Sequence, residues 1–466
     1  MDARTNRLLT GAPLATLLRL AAPNILMTTV QASVGLIETY FVAELGTDAL
    51  AGMALVFPLL MFVQMVSNGA VGGSILSTIS RSLGGGRRDD ANAFVWHAVA
   101  IATALGLATT LAARLSGGLL YRAMGGAAAS LDAALTYSNV VFSGAVLLWL
   151  FSALAAVIRG TGNMWLPAAV MCLGALVLVP LSPALIFGWG PLPRLGIVGG
   201  GIAVVGYYAV GAAIFAGYLW SGRGVLHPSA KPPALSAGAA WVILKVGAIS
   251  AVVSASTNIT IAAATGIVGV AGPAAVAGYG TGARLEYLLV PVVFGLGAPL
   301  AAMVGTAIGA GDLSRARRVA WTGAAMAGVL TGGIGLAAAS YPDAWLRLFG
   351  NDPAMLATGS QYLRLVGPFY GFFGVGLALY FAAQGTGQVG WPLIAGLLRM
   401  AVALIGGSWA IGAGYGARGL FVALGLGLTT IALVNVGSLA LGAWPRRAAG
   451  AVPAAAPRRT ATAADL

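Results

Sequence analysis

Apolar residues in this chain run in twelve long segments, over residues 15–42, 49–82, 91–114, 131–158, 165–187, 197–220, 240–265, 275–308, 318–341, 357–383, 389–413 and 417–443. Each is long enough to supply the ~20 residues that a helix needs to cross a bilayer. None shows the strict alternation of a barrel strand. Backbone polar groups in lipid must be satisfied within the segment, so these runs are predicted to be helices. The fold class that follows is an all-α polytopic membrane protein.

Short charged or glycine-rich stretches separate the runs, and some of them repeat. LGGGRRDDA at 83–91 is similar to IGAGDLSRA at 308–316, and RGTGNMWLP at 159–167 to QGTGQVGWP at 384–392. Gly84 and Gly309, Tyr137 and Tyr362, Gly160 and Gly385, and Pro167 and Pro392 are each 225 residues apart. Upstream, ALAG at 49–52 matches AVAG at 275–278 with a spacing of 226, as do Arg19 and Lys245. The chain is therefore read as two six-helix pseudo-repeat lobes, 15–220 and 240–443. A cytoplasmic N-terminal segment (1–14), a Pro/Gly/Ser-rich cytoplasmic linker (221–239) and a disordered Ala/Pro/Arg tail (444–466) complete the predicted organisation. An even number of spans per repeat gives both halves the same orientation, with an axis along the membrane normal and a site where they face each other.

The composition agrees: 59% of residues are hydrophobic and 8% charged, against about a quarter charged in soluble domains. The net charge of +13 reflects orientation rather than nucleic-acid binding. With the N-terminus placed in the cytoplasm, fifteen Lys and Arg fall on the inner side and five (Arg114, Arg122, Arg194, Arg347, Arg418) on the outer. That bias puts both termini in the cytoplasm. Cys172 is alone, which excludes a disulfide framework.

Ten of the twelve acids fall in tails, loops or helix ends; Glu38 and Glu286 lie well inside spans. Intramembrane ionisable groups are costly and point to function. Glu38 stands in 34-VGLIETYFVAEL-45, and its repeat counterpart is Ala264, so the second half has no equivalent acid. A carboxyl there can hold a proton or a cation, not both comfortably, which suffices to couple two fluxes. Asn24, Gln31, Tyr40, Gln64, Asn68, Tyr137 and Asn139 are the candidates to surround it, with Met61 and Met65 as an adaptable apolar surface. Tyr279, Tyr287 and Tyr370 could hold an organic cation by its face. Glu286 is a candidate both to line the substrate path and to form a structural ion pair, with Arg399 or Arg364; Arg284, two residues away on the same helix, does not face it.

No GxxxxGK[ST] occurs, so nothing points to ATP hydrolysis. His97 and His227 are far apart, and no Ser–His–Asp, Cys–His or metal-binding constellation emerges. The expectation is a gradient-driven carrier, neither an enzyme nor a cofactor protein.

LRLAAPNIL (18–26), GLIETYFVAELGTDALAG (35–52), SRSLGGGRRDDA (80–91) and RGTGN (159–163) together resemble the MATE family of multidrug and toxic-compound extrusion transporters, bacterial type. The resemblance implies two lobes around a central cavity, and export of organic, often cationic, compounds in exchange for protons or sodium. It makes Glu38 the candidate proton-coupling residue, where the family usually carries Asp. Sodium-binding members carry N-x-x-x-D-P in the fifth helix and a Thr in the sixth. The matching positions here are Leu178, Ser182 and about Val204. A hard cation needs several oxygen ligands, whereas a proton needs one carboxylate, so proton coupling is favoured over sodium. The expected setting is the bacterial inner membrane, as a monomer surrounded by lipid. The alternative cargo is a lipid-linked or polyanionic precursor, although the N-terminal half offers few spare cations for a pyrophosphate.

Overall fold

The computed structural model describes residues 2–269, 272–442 and 444, and leaves out the side chains of residues 32, 36, 274, 287, 288 and 290. A short amphipathic helix, α1 (Ala3–Thr10), precedes α2 (Pro13–Ala43). Then come α3 (Thr47–Gly84), α4 (Arg88–Ala123), α5 (Ala128–Ser143), α6 (Ala145–Gly160), α7 (Trp165–Phe187) and α8 (Ile197–Trp220). The second half holds α9 (Ala237–Gly269), α10 (Pro273–Gly309), α11 (Leu313–Ser340), a short α12 (Pro342–Leu346), α13 (Pro353–Thr386), α14 (Gly390–Gly412) and α15 (Gly416–Ala440).

Among the described residues eleven helices are long and apolar enough to cross a membrane, and the pair α5–α6 makes a twelfth bent by 48°. The bend falls at Gly144, where a Cβ would come within 2.6 Å of the Val205 side chain. The spans stay helical through Pro23, Pro58, Pro180, Pro183, Pro291 and Pro299. The ladder widens to a π turn at Val66–Val71 in α3 and Val402–Gly406 in α14, and tightens to a 3₁₀ turn at Gly367–Phe369 in α13. Such interruptions inside long helices recur at functional sites. Side chains cap several helix starts; among them, Asp312 accepts from the Arg315 N–H at 2.8 Å, and Asp352 from the Met355 N–H at 2.7 Å.

The chain forms two compact units. One comprises residues 2–5 and 26–247, the other 6–25 and 248 onward, so α2 and α9, the first span of each half, are each divided between units. The predicted tail lies outside the described residues apart from Trp444, which is buried against Leu8, Leu17 and Leu439 in the second unit.

Within the first unit, Phe151 packs against Tyr207, Tyr208 and Phe215 in tilted and edge-on arrangements with centroids 5.3–5.4 Å apart. In the second, Tyr279, Tyr362 and Phe421 form one aromatic cluster. The repeat seen in the sequence is also a repeat of contacts. A Cβ on Gly160 would meet the Leu76 carbonyl at 2.9 Å, and one on Gly385 would meet the Ala301 carbonyl, 225 residues on, at 2.5 Å. Gly52 lies against Ala133 and Ala134 in the first unit as Gly278 lies against Thr358 and Gly359 in the second. These contacts leave no room for a β-carbon and let the helix backbones approach closely.

Residues 221–236, the linker between the halves, are fixed to α4. Arg88 Nε donates to the Val225 carbonyl at 2.6 Å, Asn92 accepts from the His227 N–H at 2.8 Å, and Trp96 Nε1 donates to the Ser229 carbonyl at 3.0 Å. The stretch is a strap docked on the first unit.

Candidate functional site

Four residues of α2 and five of α3 make one wall each of a cavity of about 100 Å³ in the first unit. On α2 these are Gln31, Val34, Gly35 and Glu38; on α3, Met53, Phe57, Leu60, Met61 and Gln64. Both sets follow the i, i+3/i+4, i+7 spacing of one helix face. Tyr137 from α5, Ala175 and Leu178 from α7, and Val204, Tyr207 and Tyr208 from α8 close the space.

Glu38 is the one carboxylate in this lining. Its Oε1 is buried and has no hydrogen-bond partner among the described residues. The other polar groups are neutral, and several are already engaged. Gln64 Nε2 donates to the Tyr208 hydroxyl at 3.0 Å, and the Gln31 amide lies 3.9 Å from the Met171 sulfur. Tyr137 is 2% exposed. A charge on Glu38 therefore meets methyl, thioether and aromatic groups with a few phenol and amide dipoles. Burying a carboxylate without a partner is expensive; a proton or a bound cation removes the cost. The cavity contains no Lys or Arg.

The cavity brings together Gln31, Glu38, Met61, Gln64 and Tyr137 of the residues singled out in the sequence. It also includes Leu178 and Val204, positions where the sequence offers carbon in place of oxygen. Asn24 is buried but groups with the second unit. Tyr40, two residues past Glu38 and so on another helix face, is 63% exposed and edges against Phe41. Met65 and Asn68 sit at the π turn of α3, part-buried and outside the lining; Asn139, two residues past Tyr137, is exposed. Met53, Phe57, Tyr207 and Tyr208 also line the cavity, beyond the residues that the sequence marks. Their signal was available in the i+4 series from Met53 through Met61 and in the Tyr pair of α8.

The second unit holds a different polar arrangement. Arg399 Nη2 lies 3.4 Å from Glu286 Oε1, Arg399 Nη1 donates to Thr257 Oγ1 at 3.4 Å, and the Tyr362 hydroxyl donates to Glu286 Oε2 at 3.2 Å. The guanidinium lies over the Phe373 ring at 5.8 Å. Arg364 is exposed, Arg284 lies over Phe349 at 5.4 Å, and Tyr279 and Tyr370 are buried. The side chain of Tyr287 is outside the described residues.

The family model MatE matches residues 23–184 and again 249–409. The FAD transporter of Shewanella oneidensis is 27% identical over 402 residues, covering 85% of this chain and 88% of that protein. The probable multidrug resistance protein NorM of Thermotoga maritima is 26% identical over 381 residues, 81% of each chain. A solved MATE structure in the bent conformation superposes with a TM-score of 0.88 at 21% identity, covering 95% of this chain and 98% of that one. An outward-facing multidrug resistance MATE transporter of the MOP superfamily gives 0.84 at 21% identity, covering 94% and 98%. With the family model matched over both halves and an all-helical membrane fold in common, this chain belongs to the MatE family of transporters.

Proposed function

We propose that this transporter is a secondary antiporter that exports small organic, mainly cationic, compounds of the multidrug type in exchange for protons, and that Glu38 is its coupling site. One observation carries the reading: an acid with a buried, unpartnered oxygen stands alone in a cavity of neutral aromatic, thioether and amide groups. Such a group can be relieved by a proton or by a cationic cargo, and each excludes the other. Proton entry then displaces cargo, and cargo binding expels the proton. Sodium is the weaker candidate, because Leu178 and Val204 present carbon to the cavity beside Glu38. One-for-one exchange of a proton for a monovalent cation moves no net charge, so the driving force is the pH difference, about 1.4 kcal/mol per pH unit.

In this reading the lobes 15–220 and 240–443 alternate access across a bacterial inner membrane, with both termini in the cytoplasm and one chain sufficient. The test is proton release on binding. When a fluorescent organic cation is titrated into weakly buffered purified protein, about one proton should leave per cation bound, and Glu38→Gln should release none. Equal release from the variant would sink the assignment.

A second reading is favoured by the likeness to the FAD transporter: export of a flavin dinucleotide. Against it stands the cavity lining, which has no Lys or Arg to meet a pyrophosphate. Vesicles that accumulate labelled FAD but no organic cation would establish the second reading and dismiss the first.

A further inference from the structure

The strap between the halves is held by a row of α4 residues, Arg88, Asn92 and Trp96 at i, i+4 and i+8, and by His97 beside them. The last contact differs in kind from the others. His97 is 1% exposed, its Nδ1 lies 3.0 Å from the Ala93 carbonyl, and its Nε2 lies 3.0 Å from the Ser236 backbone nitrogen. A carbonyl can only accept and a peptide N–H can only donate. The ring must therefore be neutral, with its proton on Nδ1 and a bare Nε2 receiving the Ser236 N–H.

Ser236 also starts α9. Its Oγ accepts from the Ala239 N–H at 3.1 Å, and its carbonyl accepts from the Ala240 N–H at 3.1 Å. One imidazole lone pair thus anchors the cap residue of the first span of the second half.

We infer that His97 is a pH-sensitive catch: the neutral ring holds the C-terminal end of the strap and the start of α9 on α4, and protonation of the ring releases them. Protonation places a second N–H opposite the Ser236 N–H, and two donors repel. Histidine is the side chain that changes charge in the mildly acidic range. Charged or titratable groups on the elements around this stretch are Arg87, Arg88, Asp89 and Asp90 at the start of α4, Arg81 at the end of α3, Arg159 at the end of α6, Arg223, His227 and Lys231 in the strap, and Lys245 on α9. The ring's hydrogen bonds go to Ala93 and Ser236, not to any of these. The remaining ties at Val225, His227 and Ser229 involve no titrating acceptor and stay in place, so release is confined to residues 230–240.

Full-length protein in lipid nanodiscs, with Cys172→Ser and a nitroxide at Lys231→Cys, tests it. Lys231 is exposed and lies between the Ser229 and Ser236 ties. The mobile fraction of the spectrum should rise several-fold and reversibly between pH 8 and pH 5. Gln at position 97 offers a non-titrating acceptor, so His97→Gln should remain immobile throughout. His227→Gln should behave as wild type, and His97→Ala should be mobile already at pH 8. A label that stays immobile in the wild type, an equal rise in His97→Gln, loss of the rise in His227→Gln, or an immobile label in His97→Ala would overturn the catch.

Discussion

Replacing Arg399 by Met should cost this protein about 3–4 kcal/mol, most of which should return when Glu286 is neutralised as well. The two side chains are 7% and 17% exposed and 3.4 Å apart. At that distance and an effective dielectric near 20, their attraction is about 5 kcal/mol. Desolvation of both ions offsets much of it, so the net worth of the pair is small. Removing one partner is another matter. Glu286 would keep only the Tyr362 hydroxyl at 3.2 Å, which does not replace a cation. Loss of the guanidinium over Phe373 at 5.8 Å adds roughly 0.5–1 kcal/mol. Glu286→Gln/Arg399→Met leaves neutral groups that Tyr362 can still serve, and should fall within about 1 kcal/mol of wild type. The assay is the apparent thermal midpoint in detergent across the full cycle. For a chain this large, 1 kcal/mol moves the midpoint by roughly 2 °C or less, so the single variant should drop by several degrees and the double variant by one or two. A double variant as unstable as Arg399→Met, or an Arg399→Met with an unchanged midpoint, would refute the reasoning.

Gly106→Ala should lower folded yield and cost about 1–3 kcal/mol, since the added methyl would fall 2.5 Å from Val146 Cα, where α4 meets α6; size-exclusion recovery and midpoint check it. Asp312 caps α11, and the Arg315 N–H, with the Ser314 hydroxyl, holds its carboxyl below the usual range. A lowered folded value means that the stabilisation is fully present above the unfolded value and is lost as pH falls through the folded one. Asp312→Ala should therefore lose about 1 kcal/mol at neutral pH, and its deficit against wild type should shrink below about pH 4; a deficit independent of pH would contradict the cap.

Much of the fold was legible because bilayer physics writes long apolar runs. The predicted segment 49–82 appears as Thr47–Gly84, and 165–187 as Trp165–Phe187. The bend at Gly144 and the π turns at Val66 and Val402 left no comparable mark, since each depends on which side chain crosses a neighbouring helix. The strap was harder still. SGRGVLHPSAKPPALSAG reads as a tether, yet Arg88, Asn92, Trp96 and His97 fix it through backbone groups that every sequence possesses. At the cavity, Glu38 stood out as an ion in oil, and Gln31 and Gln64 followed as amides inside spans of the same half. Tyr40 and Asn139 looked equally apt but sit two residues from Glu38 and Tyr137, on other faces. A span that is apolar on all sides carries little periodicity to tell the faces apart. Tyr207 and Tyr208 were missed for the same reason, because aromatic residues on such a helix read equally well as lipid-facing.

The most direct test of the central proposal is counter-transport in proteoliposomes of the purified protein, following efflux of a fluorescent organic cation under a proton gradient and, separately, a sodium gradient. The account predicts efflux with protons alone, abolished by Glu38→Gln while binding of the cation at high pH is merely weakened. Sodium-driven efflux that persists in Glu38→Gln would contradict it.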